Sequence, residues 1–157
     1  MATISPCLWF DDQAEEAARF YTSVFKNSRI IEVRHNGEGG PWPAGSVLLV
    51  LFQLEGREFI ALNGGPAFTF NESISFYTDC SSQEEVDRLW SALTTGGEES
   101  QCGWLKDRYG VSWQIVPRRL VELLAYPDPE KAGRVVQAML AMKKIDIKTL
   151  EDAYVGP

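Results

Sequence analysis

The sequence predicts an α+β protein built from two successive βαβββ modules, each a mixed sheet with one helix, followed by C-terminal helices. Three observations carry this reading. Residues 72–117 run as a strand, a helix and three short strand-like pieces. Residues 3–63 run through the same succession. The two helices align at a shift of 69 positions, which lays Ala14-Glu15-Glu16-Ala17-Ala18-Arg19-Phe20-Tyr21 on Gln83-Glu84-Glu85-Val86-Asp87-Arg88-Leu89-Trp90. Any two amphipathic helices share an apolar stripe. The matching strand ahead of each helix is what favours a repeat, and a repeat decides the fold.

In the second module, Ile74, Phe76, Tyr77 and Thr78 give a strand its β-branched and aromatic residues. Ser82 is an N-cap with Glu85 three positions on, the capping-box pattern. Val86, Leu89, Trp90 and Leu93 recur at helical spacing, and Gly96-Gly97 ends the helix. The last strand is Val111–Val116.

In the first module, Thr3–Phe10 is the opening strand, with Pro6 marking an edge or an irregular ladder. Asp12 with Glu15 is expected to cap the helix, whose buried stripe is Ala14, Ala17, Ala18, Tyr21, Val24 and Phe25. Arg29–His35, Ser46–Leu54 and Glu58–Leu62 complete the module. The loop Asn36–Gly45 is rich in Gly and Pro, and its Trp42 is either a lid over a pocket or a surface staple. The chain thus divides into module one (1–63), a linker (64–71) that bends back or crosses to another subunit, module two (72–117) and a helical extension (118–157). In the extension Arg118–Ala125 is a short helix. Asp128-Pro129 starts the next, with Ala132, Val135, Val136, Met139 and Leu140 as its apolar face. Asp146 caps the last helix.

Composition narrows the function classes. The 157 residues suit one domain or two small packed halves, and 45% hydrophobic residues suffice for a core. A net charge of −7 argues against nucleic acid or an anionic membrane as partner. No run of 18 apolar residues and no leader pattern at Met1–Phe10 is present, so a soluble cytoplasmic protein is expected. Cys7, Cys80 and Cys102 form an odd, unpatterned set, expected to stay reduced.

A doubled βαβββ unit in a chain of this size resembles the vicinal-oxygen-chelate superfamily of glyoxalases, extradiol dioxygenases and bleomycin-resistance proteins. More closely, PCLWFDDQAEEAARFYTSVF, LNGGPAFTFNESISF and QCGWLKDRYGVSWQIVP resemble the PhnB-like proteins, also called 3-demethylubiquinone-9 3-methyltransferase-like. The likeness is read over nearly the whole chain, including the tail MLAMKKIDIKTLEDAY. It implies sheets curled into a half-open barrel around a cavity, and a homodimer in which a partner completes the barrel. It also implies a divalent metal held from the first and last strands of each module.

The ligand set does not support that metal. The superfamily's Asp-x-x-Gly-x-x-x-Glu pattern falls on Asp107, Gly110 and Gln114, where a neutral amide replaces the carboxylate. The corresponding position in module one is Ile60, and the first-strand histidine positions fall on Ser73 and Ile4. A hard divalent ion needs several anionic or imidazole ligands. No metal and no cofactor is therefore expected, and the single histidine, His35, reads as a surface or packing residue.

What remains is aromatic and polar: Trp9, Phe76, Tyr77, Trp104, Tyr109, Trp113 and Gln114. Alternation puts Gln114 on one face with Ser112 and Val116, and Trp113 on the other with Ile115. Tyr77 is expected to share its face with Ser73 and Ser75. The ligand-binding candidates are Tyr77, Gln114, Ser73, Ser75, Cys102 and Trp104, for a small organic molecule in a metal-free cavity. Cys102 lacks a histidine base, so it is a nucleophile only if a neighbour lowers its pKa. Lys106-Asp107-Arg108 reads as a solvated turn.

Three functions compete: a metal-independent small-molecule binder; a superfamily lyase, isomerase or dioxygenase with a rebuilt site; and a methyltransferase. S-adenosylmethionine is commonly held by a glycine-rich loop between a strand and a helix. Gly37-Glu38-Gly39-Gly40 runs into Pro41-Trp42-Pro43, and Gly64-Gly65 into Pro66, so neither loop has that context.

Overall fold

Strand order shows the repeat directly. A computed structural model describes residues 1–157. The first half forms β1 (Cys7–Phe10), α1 (Ala14–Val24), β2 (Arg29–His35), β3 (Val47–Leu54) and β4 (Arg57–Asn63). The second forms β5 (Ser75–Cys80), α2 (Gln83–Thr94), β6 (Glu98–Glu99), β7 (Trp104–Lys106) and β8 (Ser112–Pro117). The extension forms α3 (Arg118–Ala125), α4 (Pro129–Leu140) and α5 (Ile147–Val155). The sheets run β1-β4-β3-β2 and β5-β8-β7-β6, the same order, with the first strand parallel to the last in each and the other pairs antiparallel. Both sheets are mixed and open. The chain packs as two units, Met1–Phe70 and Asn71–Pro157.

In the first unit, period-two burial turns one sheet face onto α1. Val50, Phe52, Leu54, Phe59 and Ala61 are buried there, and α1 answers with Ala14, Ala17, Ala18, Tyr21 and Val24. Phe52 stacks between Tyr21 (ring centroids 6.3 Å apart) and Phe59 (5.4 Å). The Asp12–Glu15 capping box does not form. Asn63, at the end of β4, accepts the Ala14 N–H at 2.8 Å instead, and Glu15 pairs with Arg19. The opening strand is also shorter than Thr3–Phe10, because its ladder with β4 starts at Cys7↔Ile60 and residues 1–6 form no strand. Residues 64–70 fold back along this unit, with Phe68 edge-on to Trp9 (5.0 Å) and Phe70 edge-on to Phe10 (5.1 Å). A Cβ at Gly64 would collide with the Trp9 ring, so only glycine fits that close approach.

In the second unit, Ser82 caps α2 by accepting the Glu85 N–H at 3.1 Å. The Glu85 carboxylate reaches back to the Ser81 N–H at 3.1 Å, one residue ahead of the usual position. Trp113 and Ile115 of β8 face α2, as alternation requires, and Phe76 packs on Trp113 at 5.3 Å. Cys80 is fully buried. Desolvation first, then the charges of Glu85 and Asp79, push its thiol up to about 12, which leaves it a neutral core residue.

The extension has its own apolar cluster of Val116, Leu120, Leu123, Val135, Ile145 and Leu150. Asp128 caps α4 through the N–H groups of Glu130 and Lys131, and Asp146 caps α5 through Thr149. The Gln83 amide ties the extension to α2, donating to the Ile145 carbonyl at 2.9 Å and accepting from the Ile147 N–H at 2.7 Å. Leu140 does not join the apolar face: it is 54% exposed, while Ala138, Met139 and Met142 pack on the cluster.

Candidate functional site

The sheet face of the second unit turned away from α2 carries Ser75 and Tyr77 from β5, Ser112 and Gln114 from β8, and Trp104 and Lys106 from β7. Register places them in two rows. Tyr77 lies opposite Gln114, and Gln114 opposite Trp104. Ser75 lies opposite Ser112, and Ser112 opposite Lys106. Gln114 is therefore a half-buried amide with an aromatic ring in register on each side.

Hydrogen bonding fixes this amide. Gln114 Nε2 donates to Ser75 Oγ at 2.9 Å. Its Oε1 and its second N–H have no partner in the chain. The Ser112 hydroxyl in the neighbouring row is buried and also lacks a partner. The charges on this face are already paired, Lys106 with Glu72 and Asp79 with Arg118 at 2.9 Å. Desolvation first, then the Asp79 charge, raises the Tyr77 pKa, so its hydroxyl stays protonated near neutral pH.

Two of the six candidates lie elsewhere. Ser73 does not share the Tyr77 face, because β5 begins at Ser75. Ser73 sits in the preceding turn, where its N–H and hydroxyl both bond Asn71 Oδ1. Ile74 also precedes the strand and is 72% exposed. Cys102 lies in the turn before β7 with φ +58°, and its N–H donates to the Met142 carbonyl at 2.8 Å.

Asp107 overturns the solvated-turn reading. It is 3% exposed, and its carboxylate organises the β7–β8 hairpin. Oδ1 accepts the N–H groups of Tyr109 (2.8 Å) and Val111 (3.1 Å), and Oδ2 accepts the Trp113 indole N–H (2.9 Å). Sequence reasoning missed this role. The available signal was Trp113 itself, since a buried indole N–H needs an acceptor.

The donor set does not fit a divalent metal. The position that would carry a carboxylate holds Gln114, flanked by Tyr77 and Trp104. Ile60 in the first sheet lies beside Cys7. Nowhere do three or more His, Cys, Asp or Glu side chains gather around a point.

The first unit holds a cavity of about 560 Å³, bordered by Asp11, Asp12, Glu15, Glu16, Trp42 and Asn63 among others. None of the six sequence candidates lines it. Trp42 walls this cavity, and its ring lies over Gly65, where a Cβ would come within 2.9 Å.

A family model described as 3-demethylubiquinone-9 3-methyltransferase matches residues 2–116. The chain belongs to this family. The match stops before α3, so the likeness read into the tail is not supported by it. Among solved structures, the chain is 35% identical to a putative 3-demethylubiquinone-9 3-methyltransferase, PhnB protein, from Bacillus cereus, with TM-score 0.68, covering 74% of this chain and 99% of that one. Protein PA1353 from Pseudomonas aeruginosa is 22% identical with TM-score 0.62, covering 74% and 98%. A mutant of the fosfomycin resistance protein FosX from Listeria monocytogenes, complexed with Mn(II), is 17% identical with TM-score 0.53, covering 72% and 89%. The last two are likenesses of fold alone. No curated protein matches the chain.

The family's description names a methyltransferase, yet no glycine run in this member opens a helix. The residues before the five helices are Gln13, Ser82, Pro117, Asp128 and Asp146. Gly37–Gly40 lies between two strands, and Gly64-Gly65 follows a strand and packs against Trp9 and Trp42.

Proposed function

We propose that this family member binds a small organic molecule on the Tyr77–Gln114–Trp104 row without a divalent metal. One observation carries the reading: Gln114, where the resemblance implies a carboxylate, is a neutral amide fastened to Ser75 and set in register between two aromatic residues. An amide both donates and accepts hydrogen bonds, and aromatic rings supply apolar contact area. The row offers no charged nucleophile or base, so binding is preferred to catalysis. The alternative of a superfamily enzyme keeps its support in the FosX likeness of fold, and that of a methyltransferase in the family's description.

The test is native mass spectrometry of the protein as purified, comparing wild type with Gln114→Ala. The expected outcome is an organic adduct on wild type that the variant loses, with circular dichroism unchanged. An adduct retained in full by the variant contradicts the reading.

We also propose a cytoplasmic homodimer. No helix is long and apolar enough to cross a membrane, and the three cysteines are free. Both sheets are open, and open edges are managed by pairing or covering. Ile74, Val121 and Leu140 leave apolar surface exposed at 72%, 51% and 54%, which a partner would bury. Nucleic acid is not an expected partner at a net charge of −7. Light scattering at micromolar concentration is expected to give twice the mass of 17.6 kDa; a monomer mass contradicts the dimer.

A further inference from the structure

We infer that the molecule taken by this row is uncharged and planar and carries an N–H and a C=O on adjacent atoms, as a lactam or ureide does, and that it pairs edge to edge with the Gln114 amide. The inference rests on the proposed binding function and names the ligand class for the same site.

Four features argue for it. Gln114 spends one N–H on Ser75 and keeps its carbonyl oxygen and its other N–H on one planar group. The complement of that pair is another donor–acceptor pair on adjacent atoms. Tyr77 and Trp104 stand on the strands at either side of β8, roughly 10 Å apart at the backbone by two strand spacings. Both aromatic residues therefore flank the amide on one sheet face. The nearest charges are neutralised within the chain, Lys106 by Glu72 and Asp79 by Arg118, so an ionic ligand would find no unpaired counter-charge. Last, the buried Ser112 hydroxyl is unpartnered beside Ser75, and a buried polar group without a partner is a cost the fold carries only exceptionally. That marks the floor of this face as polar rather than as ordinary core.

The test uses four probes of similar size on the full chain: uracil, its N,N-dimethyl derivative, benzoate and benzylamine. Binding is read by NMR from the Gln114 side-chain NH₂ and Trp104 indole N–H signals. Uracil is expected to shift both and to bind about tenfold or more tightly than the dimethyl derivative, which keeps the ring but lacks the donors. It is expected to exceed both ions by a similar factor. Because the contrast lies in the ligands, it does not depend on a variant folding. Gln114→Leu should abolish the preference for uracil over its dimethyl derivative. Equal affinities for the two, or tighter binding of either ion, overturn the ligand class while leaving binding at the row intact. If no probe shifts either signal, the proposed binding function fails with it.

Discussion

Asp107→Ala is expected to lower the unfolding free energy by roughly 4 kcal/mol, the cost of stranding hydrogen-bond donors that had a charged acceptor. The wild-type carboxylate takes two backbone N–H groups and one indole N–H, and the residue is 3% exposed, so water cannot easily replace it. The alanine leaves the Val111 N–H and the Trp113 indole without this acceptor at the start of β8. Asp107→Asn should lose less, because its remaining oxygen can keep the two backbone N–H groups while its NH₂ group faces only the Trp113 indole N–H. The measurement is the urea midpoint at unchanged slope, together with the Trp113 indole N–H resonance. A loss below about 1 kcal/mol would mean that the hairpin does not depend on this carboxylate.

Phe52→Ala should cost roughly 3–5 kcal/mol, the usual range for emptying a buried aromatic position. Phe52 is fully buried in β3 and stacks on Tyr21 of α1 and Phe59 of β4. The change therefore opens a cavity where the helix meets two strands and removes two ring contacts. Phe52→Leu, which fills most of the volume, should recover a large part of the loss. Equal losses for the two variants would show that stacking geometry rather than filled volume holds this core.

The residues that give the fold away in the sequence act locally. Ser82 and Glu85 lie three apart on one helix start, where Ser82 accepts the Glu85 N–H and the Glu85 carboxylate accepts the Ser81 N–H, contacts that all fall within one turn. The repeat is legible because each helix must bury its stripe against a strand pattern of period two. The α1 cap was not legible, since its acceptor, Asn63, is 49 residues from Ala14. Burial of Asp107 was hidden in the same way: its charged neighbours Lys106 and Arg108 make the triplet look solvated, while its third partner is Trp113 across the hairpin.

The candidate site was legible where alternation decides it. Parity along single strands put Ser75 with Tyr77 and Gln114 with Ser112, while the register that sets Trp104 and Tyr77 on either side of Gln114 depends on strand pairing that no local pattern gives. Ser73 was misplaced because the turn at Asn71 captures it and delays the strand by two residues. Cys102 takes a left-handed backbone whose N–H is held by the Met142 carbonyl, a contact with the extension that no local pattern announces.

Native mass spectrometry of the purified protein, before and after treatment with a chelator, tests most directly whether the Gln114 row works as a metal-free binding site. The account predicts that any organic adduct survives the chelator and depends on Gln114, with no divalent metal at stoichiometric level. Stoichiometric zinc, iron, manganese or nickel that the chelator removes together with the adduct, and that Gln114→Ala fails to bind, would contradict it.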